Sequence, residues 1–290
     1  MHVLEYLAPQ TLGEALETLA KQSEGAKIIA GGTDLIPRMR SGIIHPTLLI
    51  DLRKLSLNRI EFKGGWICIG ATVTHTDILE SNLLASHYPA MVEAVKEIAG
   101  PPIRNRGTIG GNLANASPAA DLALPLLSYD AFVVLAKVGG ERKVPLAEFF
   151  TGPGQTVLTP DEILTEIRIP VVPPRTISKF IKLGKRKAMA IAVTSIATRL
   201  TLDEAGNISQ ARIALGSVAP RPMRSTMAEA ILENMTPGIE LFAKSAQVAS
   251  MESSPISDIR ASGNYRKQMV AVLTRRSLLA AWQQLERRDR

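Results

Sequence analysis

A single cysteine, Cys68, in 290 residues excludes an internal disulfide, and it excludes an iron–sulfur cluster or thiolate zinc site held by this chain alone. If the protein moves electrons, it does so without a cluster of its own. The four histidines, His2, His45, His75 and His87, contain no pair at the i, i+3 or i, i+4 spacing of a helical metal site, so no metal is expected. Aromatic residues make up 4% of the chain, and there is no RNP-like, zinc-finger or basic-zipper pattern. Nucleic acid is therefore not the expected partner, in spite of a formal net charge of +7. No apolar run approaches the roughly 20 residues of a bilayer-crossing helix. The opening Met1-His2-Val3-Leu4-Glu5-Tyr6 also lacks the basic and apolar stretches of a secretory signal. No transmembrane segment is expected, and the expected location is the cytoplasm. The G-x-G-x-x-G, Walker A and G-x-S-x-G patterns are missing as well, which disfavours a nicotinamide Rossmann domain, a P-loop and a serine hydrolase.

What is present is a globular composition, 46% hydrophobic and 21% charged, in a chain long enough for about two domains with cores of their own. Charge is uneven along it. Residues 1–175 carry 16 basic and 18 acidic groups, net −2, whereas residues 176–290 carry 18 and 9, net +9.

Hydrophobic spacing divides the chain further. A strand over Val3–Tyr6 leads to a helix with a capping box at Thr11 and Glu14 and an apolar stripe of Leu12, Ala15, Leu16, Leu19 and Ala20. The run Lys27–Ala30 reads as a buried strand that enters Gly31-Gly32-Thr33-Asp34 and a second helix, and Leu48–Ile50 closes a β-α-β-α-β unit. Strand, Gly64-Gly65 turn and strand follow over Ile60–Ala71, then helices near Asp77–Leu84 and Ala90–Ile98. The segment Gly100–Asp121 fits neither period, and so long an irregular stretch in a compact domain is expected only where it binds something. Strands resume at Ala131–Ala136 and Glu162–Ile169, and Val171–Arg175 reads as a linker. Beyond it, Ile177–Leu183, Thr194–Leu202 and Ile208–Leu215 read as an antiparallel sheet of three, followed by helices near Thr226–Leu232, Ile239–Ala249 and Tyr265–Leu285. The expected divisions are 1–55, 56–175 and 176–290.

Two glycine pairs bring bare backbone to loops. Gly31-Gly32, between a strand and a helix, offers N–H groups suited to a phosphate or pyrophosphate, with the Thr33 hydroxyl beside them. Gly110-Gly111, flanked by Thr108 and Asn112, offers a second such nest, and Ser117 and Asp121 supply a donor and an acceptor for ribityl or ribose hydroxyls. Two nests suit a ligand with a diphosphate at its middle. Each pair also serves simply as a tight turn, with Thr33 and Asp34 as caps and Asn115 and Ser117 satisfying loop backbone. His75 and Cys68 read as structural, and Lys185-Arg186-Lys187 as either solvated surface or a docking patch.

Ala30-Gly31-Gly32-Thr33-Asp34-Leu35, and Ile103 to Asn112 continuing through Asn115-Ala116-Ser117-Pro118-Ala119-Ala120-Asp121, resemble the two FAD-binding motifs of the molybdenum hydroxylase flavoproteins. These are the carbon monoxide dehydrogenase medium subunit and the xanthine dehydrogenase FAD domain. Phe150–Gly154, Asp161–Leu164, Tyr265–Lys267 and Arg275-Arg276 fall in family order too, so the likeness spans nearly the whole chain. The resemblance implies an α+β fold: a two-subdomain FAD-binding fold of the vanillyl-alcohol-oxidase (PCMH) type, then a domain of three antiparallel strands plus a helical bundle. It implies FAD as the cofactor. Ile29 to Leu35 would hold the pyrophosphate from one side and Thr108, Ile109, Gly110, Gly111 and Asn112 from the other, with Asn115, Ser117 and Asp121 near the ribityl and ribose. Lys182, in the aromatic-x-Lys-Leu segment Phe180–Leu183, would meet the flavin ring. The implied partners are a molybdenum-cofactor large subunit and a [2Fe–2S] small subunit, assembled as a dimer of heterotrimers. The benzoyl-coenzyme A reductase branch inserts a cysteine-bearing segment for an extra cluster, and Cys68 alone cannot supply it. A stand-alone FAD- or nucleotide-binding module with an assembly or regulatory role is the alternative.

Overall fold

The computed structural model describes residues 4–22 and 24–288; Val3, expected to start the first strand, lies outside the described residues. The opening unit comprises β1 (Glu5–Leu7), α1 (Leu12–Lys21), β2 (Ala26–Ile29), α2 (Leu35–Arg40) and β3 (Leu48–Asp51). Thr11 caps α1 as its spacing to Glu14 predicts, its Oγ1 accepting the Glu14 N–H at 3.2 Å. The capping box closes one residue early, because the Glu14 carboxylate accepts from the Gln10 N–H at 2.8 Å and not from Thr11. Ala15, Leu16 and Leu19 bury the inner face of α1, each leucine contributing about 1.5–3 kcal/mol by leaving water. The strands are parallel in the order β1-β3-β2, and the central β3 is buried at every residue, which is why it reads as a continuous apolar run. This core extends to Ala136 and Ile163 of the next sheet.

The second unit begins with the hairpin β4 (Ile60–Lys63) and β5 (Trp66–Gly70), turned at Gly64 and Gly65 with φ of 58° and 81°. Six helices follow: α3 (His75–Glu80), α4 (Asn82–His87), α5 (Pro89–Lys96), α6 (Pro101–Arg104), α7 (Ile109–Ala114) and α8 (Ala123–Ser128). Next come β6 (Phe132–Lys137), β7 (Gly140–Pro145), α9 (Leu146–Phe149), the small pair β8 (Phe150–Gly152) and β9 (Gln155–Thr156), and β10 (Ile163–Pro170). The five-stranded sheet runs β4-β5-β10-β6-β7 and is antiparallel throughout. The stretch from 100 to 121 is therefore not wholly irregular. α6 and α7, of four and six residues, are too short to display a helical period in sequence.

The third unit holds β11 (Thr176–Gly184), β12 (Ala192–Leu202), β13 (Ile208–Gly216) and β14 (Met223–Arg224), then α10 (Thr226–Leu232), α11 (Ile239–Glu252) and α12 (Gly263–Arg288). The expected three-stranded antiparallel sheet is present, extended at one edge by the two-residue β14. All eleven residues of β12 are buried because alternate side chains enter different cores. Ile196 and Leu200 join Val270, Leu273 and Leu278 of α12, whereas Ala197 joins Leu124 and Leu127 of α8. An ionic joint adds to this contact. Asp130, just after α8, accepts from Arg199 at 2.8 Å, Arg212 at 3.1 Å and Arg224 at 2.5 Å, all three on the third sheet. Among the described residues no helix is long and apolar enough to cross a membrane.

Candidate cofactor site

The first loop leaves β2 at Ala30 and enters α2 at Leu35. Gly32 adopts φ +70°, which L side chains rarely tolerate, and its carbonyl accepts the Ile36 N–H at 3.0 Å. Gly31 is demanded by contact: a Cβ there would fall 2.0 Å from the Arg106 carbonyl oxygen, so the two glycine-bearing loops touch backbone to backbone. In the second loop the Thr108 side chain caps α7 by accepting the Gly111 N–H at 3.1 Å. Gly110 donates to the Ala71 carbonyl at 3.0 Å, and a Cβ on it would sit 2.7 Å from Ala71. Gly31 and Gly110 thus serve close approach of protein to protein, a use beside the phosphate nest and the tight turn that the sequence offers for each pair.

Between the loops lies a cavity of about 630 Å³, within the usual size of cofactor and ligand sites. The whole of 29–35 lines it, together with Thr108, Gly110, Gly111, Asn112 and Asn115. Ile109 does not; it is fully buried and anchors α7 from behind. Sequence reasoning missed other parts of the wall, among them Leu19, Lys27, Arg38 and Leu52 of the first unit, Ala71 and His75, and the stretch from Leu158 to Leu164 apart from Asp161. The motif-like run Asp161–Leu164, and Gly107 within the motif from Ile103 to Asn112, were signals that could have found part of that wall. The Asn112 side-chain carbonyl is buried without a partner, an acceptor suited to a ligand donor. The N–H groups of the first loop, the threonine hydroxyls and this unpaired acceptor together fit a dinucleotide with a diphosphate centre, whereas the N–H groups of Ile109, Gly110, Gly111 and Asn112 are taken by Val73, Ala71 and Thr108.

Ser117, Asp121 and Lys182 are not on that wall. The Ser117 hydroxyl accepts the Ala119 N–H at 3.2 Å. Lys182 and Asp121 form a buried ion pair, Nζ to Oδ2 2.5 Å, and Lys182 also donates to the Glu97 carbonyl at 3.0 Å. Burial pushes the Asp121 carboxyl up to about 6, although the Lys182 cation pulls it down. Lys182 borders a second cavity, of about 400 Å³, shared with Glu97 and the loop carrying Lys185, Arg186 and Lys187. The structure therefore gathers most of the expected residues in one cavity and sets Asp121 and Lys182 apart as a pair.

Two titratable groups on the first cavity are shifted by their surroundings. Glu162 receives Arg142 through Nε at 2.7 Å and Nη2 at 2.9 Å, and these hydrogen bonds hold its carboxyl down to about 2. His75 is pushed down to about 4 by burial, with a contribution from the Arg104 cation, so its imidazole is neutral.

Residues 2–172 match the family described as the FAD binding domain in molybdopterin dehydrogenase, and residues 179–281 match the CO dehydrogenase flavoprotein C-terminal domain. The chain is 34% identical over 280 residues to the carbon monoxide dehydrogenase medium chain of Hydrogenophaga pseudoflava, covering 96% of each. It is 33% identical over 283 residues to the xanthine dehydrogenase FAD-binding subunit of Escherichia coli O157:H7, covering 95% of each. A solved structure of the Hydrogenophaga pseudoflava carbon monoxide dehydrogenase, in the form lacking the Mo-pyranopterin moiety, superposes with a TM-score of 0.93 at 35% identity over 97% of both chains.

Proposed function

From the premise that the chain belongs to the family of FAD-binding domains of molybdopterin dehydrogenases, completed by the flavoprotein C-terminal domain, we propose how it works within its complex. It is the FAD-binding, electron-transfer subunit of a molybdenum hydroxylase, a flavoprotein component of an oxidoreductase. Its partners are the other subunits of a multi-subunit enzyme: a large subunit carrying the molybdenum cofactor and a small subunit carrying [2Fe–2S] clusters, arranged as a dimer of heterotrimers in the cytoplasm. Bound FAD supplies the electron-carrying chemistry, between the partner's clusters and an external acceptor.

This chain's own residues bind and orient that cofactor. Ile29–Leu35, Thr108 and Gly110–Asn112 hold the diphosphate between them, and Asn115, Ser117 and Asp121 serve the ribose and ribityl hydroxyls. Lys182, paired with Asp121, would meet the flavin ring and favour its reduced anion. The working divisions are 1–55, 56–175 and 176–290, with the cofactor gripped by the first two. The observation that carries the reading is the pair of glycine loops meeting across one cavity, closed by walls from two different sheets.

The test is reconstitution. The purified chain given FAD should acquire a bound flavin spectrum and show no hydroxylase turnover alone, and turnover should appear on co-expression with the molybdenum and iron–sulfur subunits. A chain that binds no FAD, or one that turns over substrate unaided, contradicts the assignment.

A further inference from the structure

His75 opens α3 and is 4% exposed. Its backbone N–H donates to the Gly107 carbonyl at 2.9 Å, and its ring presses on the same residue: a Cβ on Gly107 would lie 3.0 Å from Cδ2 and 3.2 Å from Nε2. Gly107 in turn touches the first loop, since a Cβ on Gly31 would lie 3.0 Å from the Gly107 Cα. The imidazole therefore sits at the point where the two glycine loops meet, and it lines the cavity there. Nδ1 is buried without a partner, and among the described residues no hydrogen bond reaches either ring nitrogen. A neutral imidazole carries one N–H and one acceptor, and buried groups of that kind are ordinarily paired. Nδ1 is sealed from the cavity as well as from solvent, so the imidazole meets a ligand in the cavity through Nε2, the nitrogen on the Gly107 side, which no described residue occupies.

We propose that His75 is a contact for the phosphate chain of the dinucleotide and that binding draws one proton from solvent onto its imidazole. This rests on the FAD reading above. The charged groups nearby support it. Burial, with the Arg104 cation of α6, opposes an imidazolium and holds the ring down to about 4. Lys27 of β2, with Asp34 and Arg38 at α2, line the same cavity, and Glu162 is committed to Arg142. Asp77, on the same helix, is turned back to cap Thr74. None of the carboxylates pairs with the ring, so an incoming diphosphate supplies the negative charge that an imidazolium requires.

The experiment measures affinities of the full chain for FAD, ADP and riboflavin between about pH 5 and pH 8 by fluorescence. Below the bound-state pKa, FAD and ADP should bind tighter by up to about tenfold per pH unit, the signature of one proton taken up. Riboflavin, lacking the diphosphate, should show no such slope, and His75→Gln should remove it for FAD. Proton NMR of the unmodified chain gives a variant-free check, since the His75 ring resonance should titrate at higher pH when ADP is bound. A flat profile in the unmodified chain, an equal slope in His75→Gln, or a resonance unmoved by ADP would overturn the role of His75 alone. Absence of FAD binding at every pH would overturn the cofactor reading and this proposal with it.

Discussion

Replacing Lys182 by Met should destabilise the chain by an amount that grows with pH, and the structure sets the scale. Lys182 Nζ and Asp121 Oδ2 are 2.5 Å apart, and their side chains are 4% and 7% exposed. Without the cation, Asp121 has two options: to stay ionised and unpaired in the interior, or to take a proton. The second limits the damage. The Asp121 carboxyl titrates at about 6, raised above the ordinary range, so its proton is bound more tightly in the folded chain than in the unfolded one. Burial of the ionised form is therefore a cost that is present at high pH and fades as pH falls below 6. At about 1.4 kcal/mol per pH unit, neutralising Asp121 costs about 3 kcal/mol at pH 8, about half that at pH 7, and close to nothing at pH 5. That places the loss at pH 8 at the lower end of the roughly 3–5 kcal/mol that follows removal of one member of a buried ion pair. Urea unfolding of the cofactor-free chain and of Lys182→Met at pH 5, 7 and 8 measures it. The double variant Lys182→Met/Asp121→Asn should lose the pH dependence. A destabilisation equal at all three pH values, or a slope surviving in the double variant, would refute the reasoning.

Gly31→Ala should weaken FAD binding by about 10- to 100-fold, since overpacking of about 1–3 kcal/mol falls where the two loops touch. Gly238→Ala, at a position with open space, is the matched control for flavin fluorescence titration. Asp130→Asn keeps a residue type that tolerates φ +54° but removes the charge facing three arginines, and should lower unfolding free energy by about 1.5–3 kcal/mol. Reversing the charge of Lys185, Arg186 and Lys187 together should slow assembly with the partner subunits at low salt, with the difference vanishing at about 1 M salt. An unchanged rate leaves the triplet as plain surface.

Sequence periodicity is informative where an element is long and buries one face. α1, the 60–70 hairpin, β11 to β13 and α11 were all legible from spacing and caps, within a residue or three of their ends. The method fails below about two turns. α6 and α7 lie in the segment that sequence read as a loop, and each is stabilised by contacts that spacing does not encode: the Arg104 guanidinium on the Ile98 and Ala99 carbonyls, and the Gly110 N–H on Ala71. The two-residue β14 owes its existence to pairing with β13 and has no pattern of its own. The same limit applies to the site. The glycine loops stand out because paired glycines at a strand-to-helix turn are visible in the sequence itself, whereas Leu158, Glu162 and His75 reach the cavity only through the approach of β10 and α3.

The basic excess after residue 175 shows why net charge is a poor guide to a docking surface. Arg199, Arg212 and Arg224 converge on Asp130, and Arg224 also pairs with the buried Glu229. Arg266, 1% exposed, is spent on Asp258 and the Ser217 carbonyl, while Arg260 pairs with Asp258 and donates to the Ala192 carbonyl. These arginines were chosen for what a planar, multi-donor cation does inside a protein, which is to satisfy several acceptors at once where a lysine would satisfy fewer. Several of their acceptors are backbone carbonyls or a carboxylate shared among cations, so pairing consumes positive groups without matching them one for one. Part of the +9 is thus internal architecture, joining the third sheet to the second unit and fixing the 254–262 loop. What remains for a partner is local, the exposed Lys185, Arg186 and Lys187 beside the second cavity, and their effect has to be judged at that site and not from the charge of the domain.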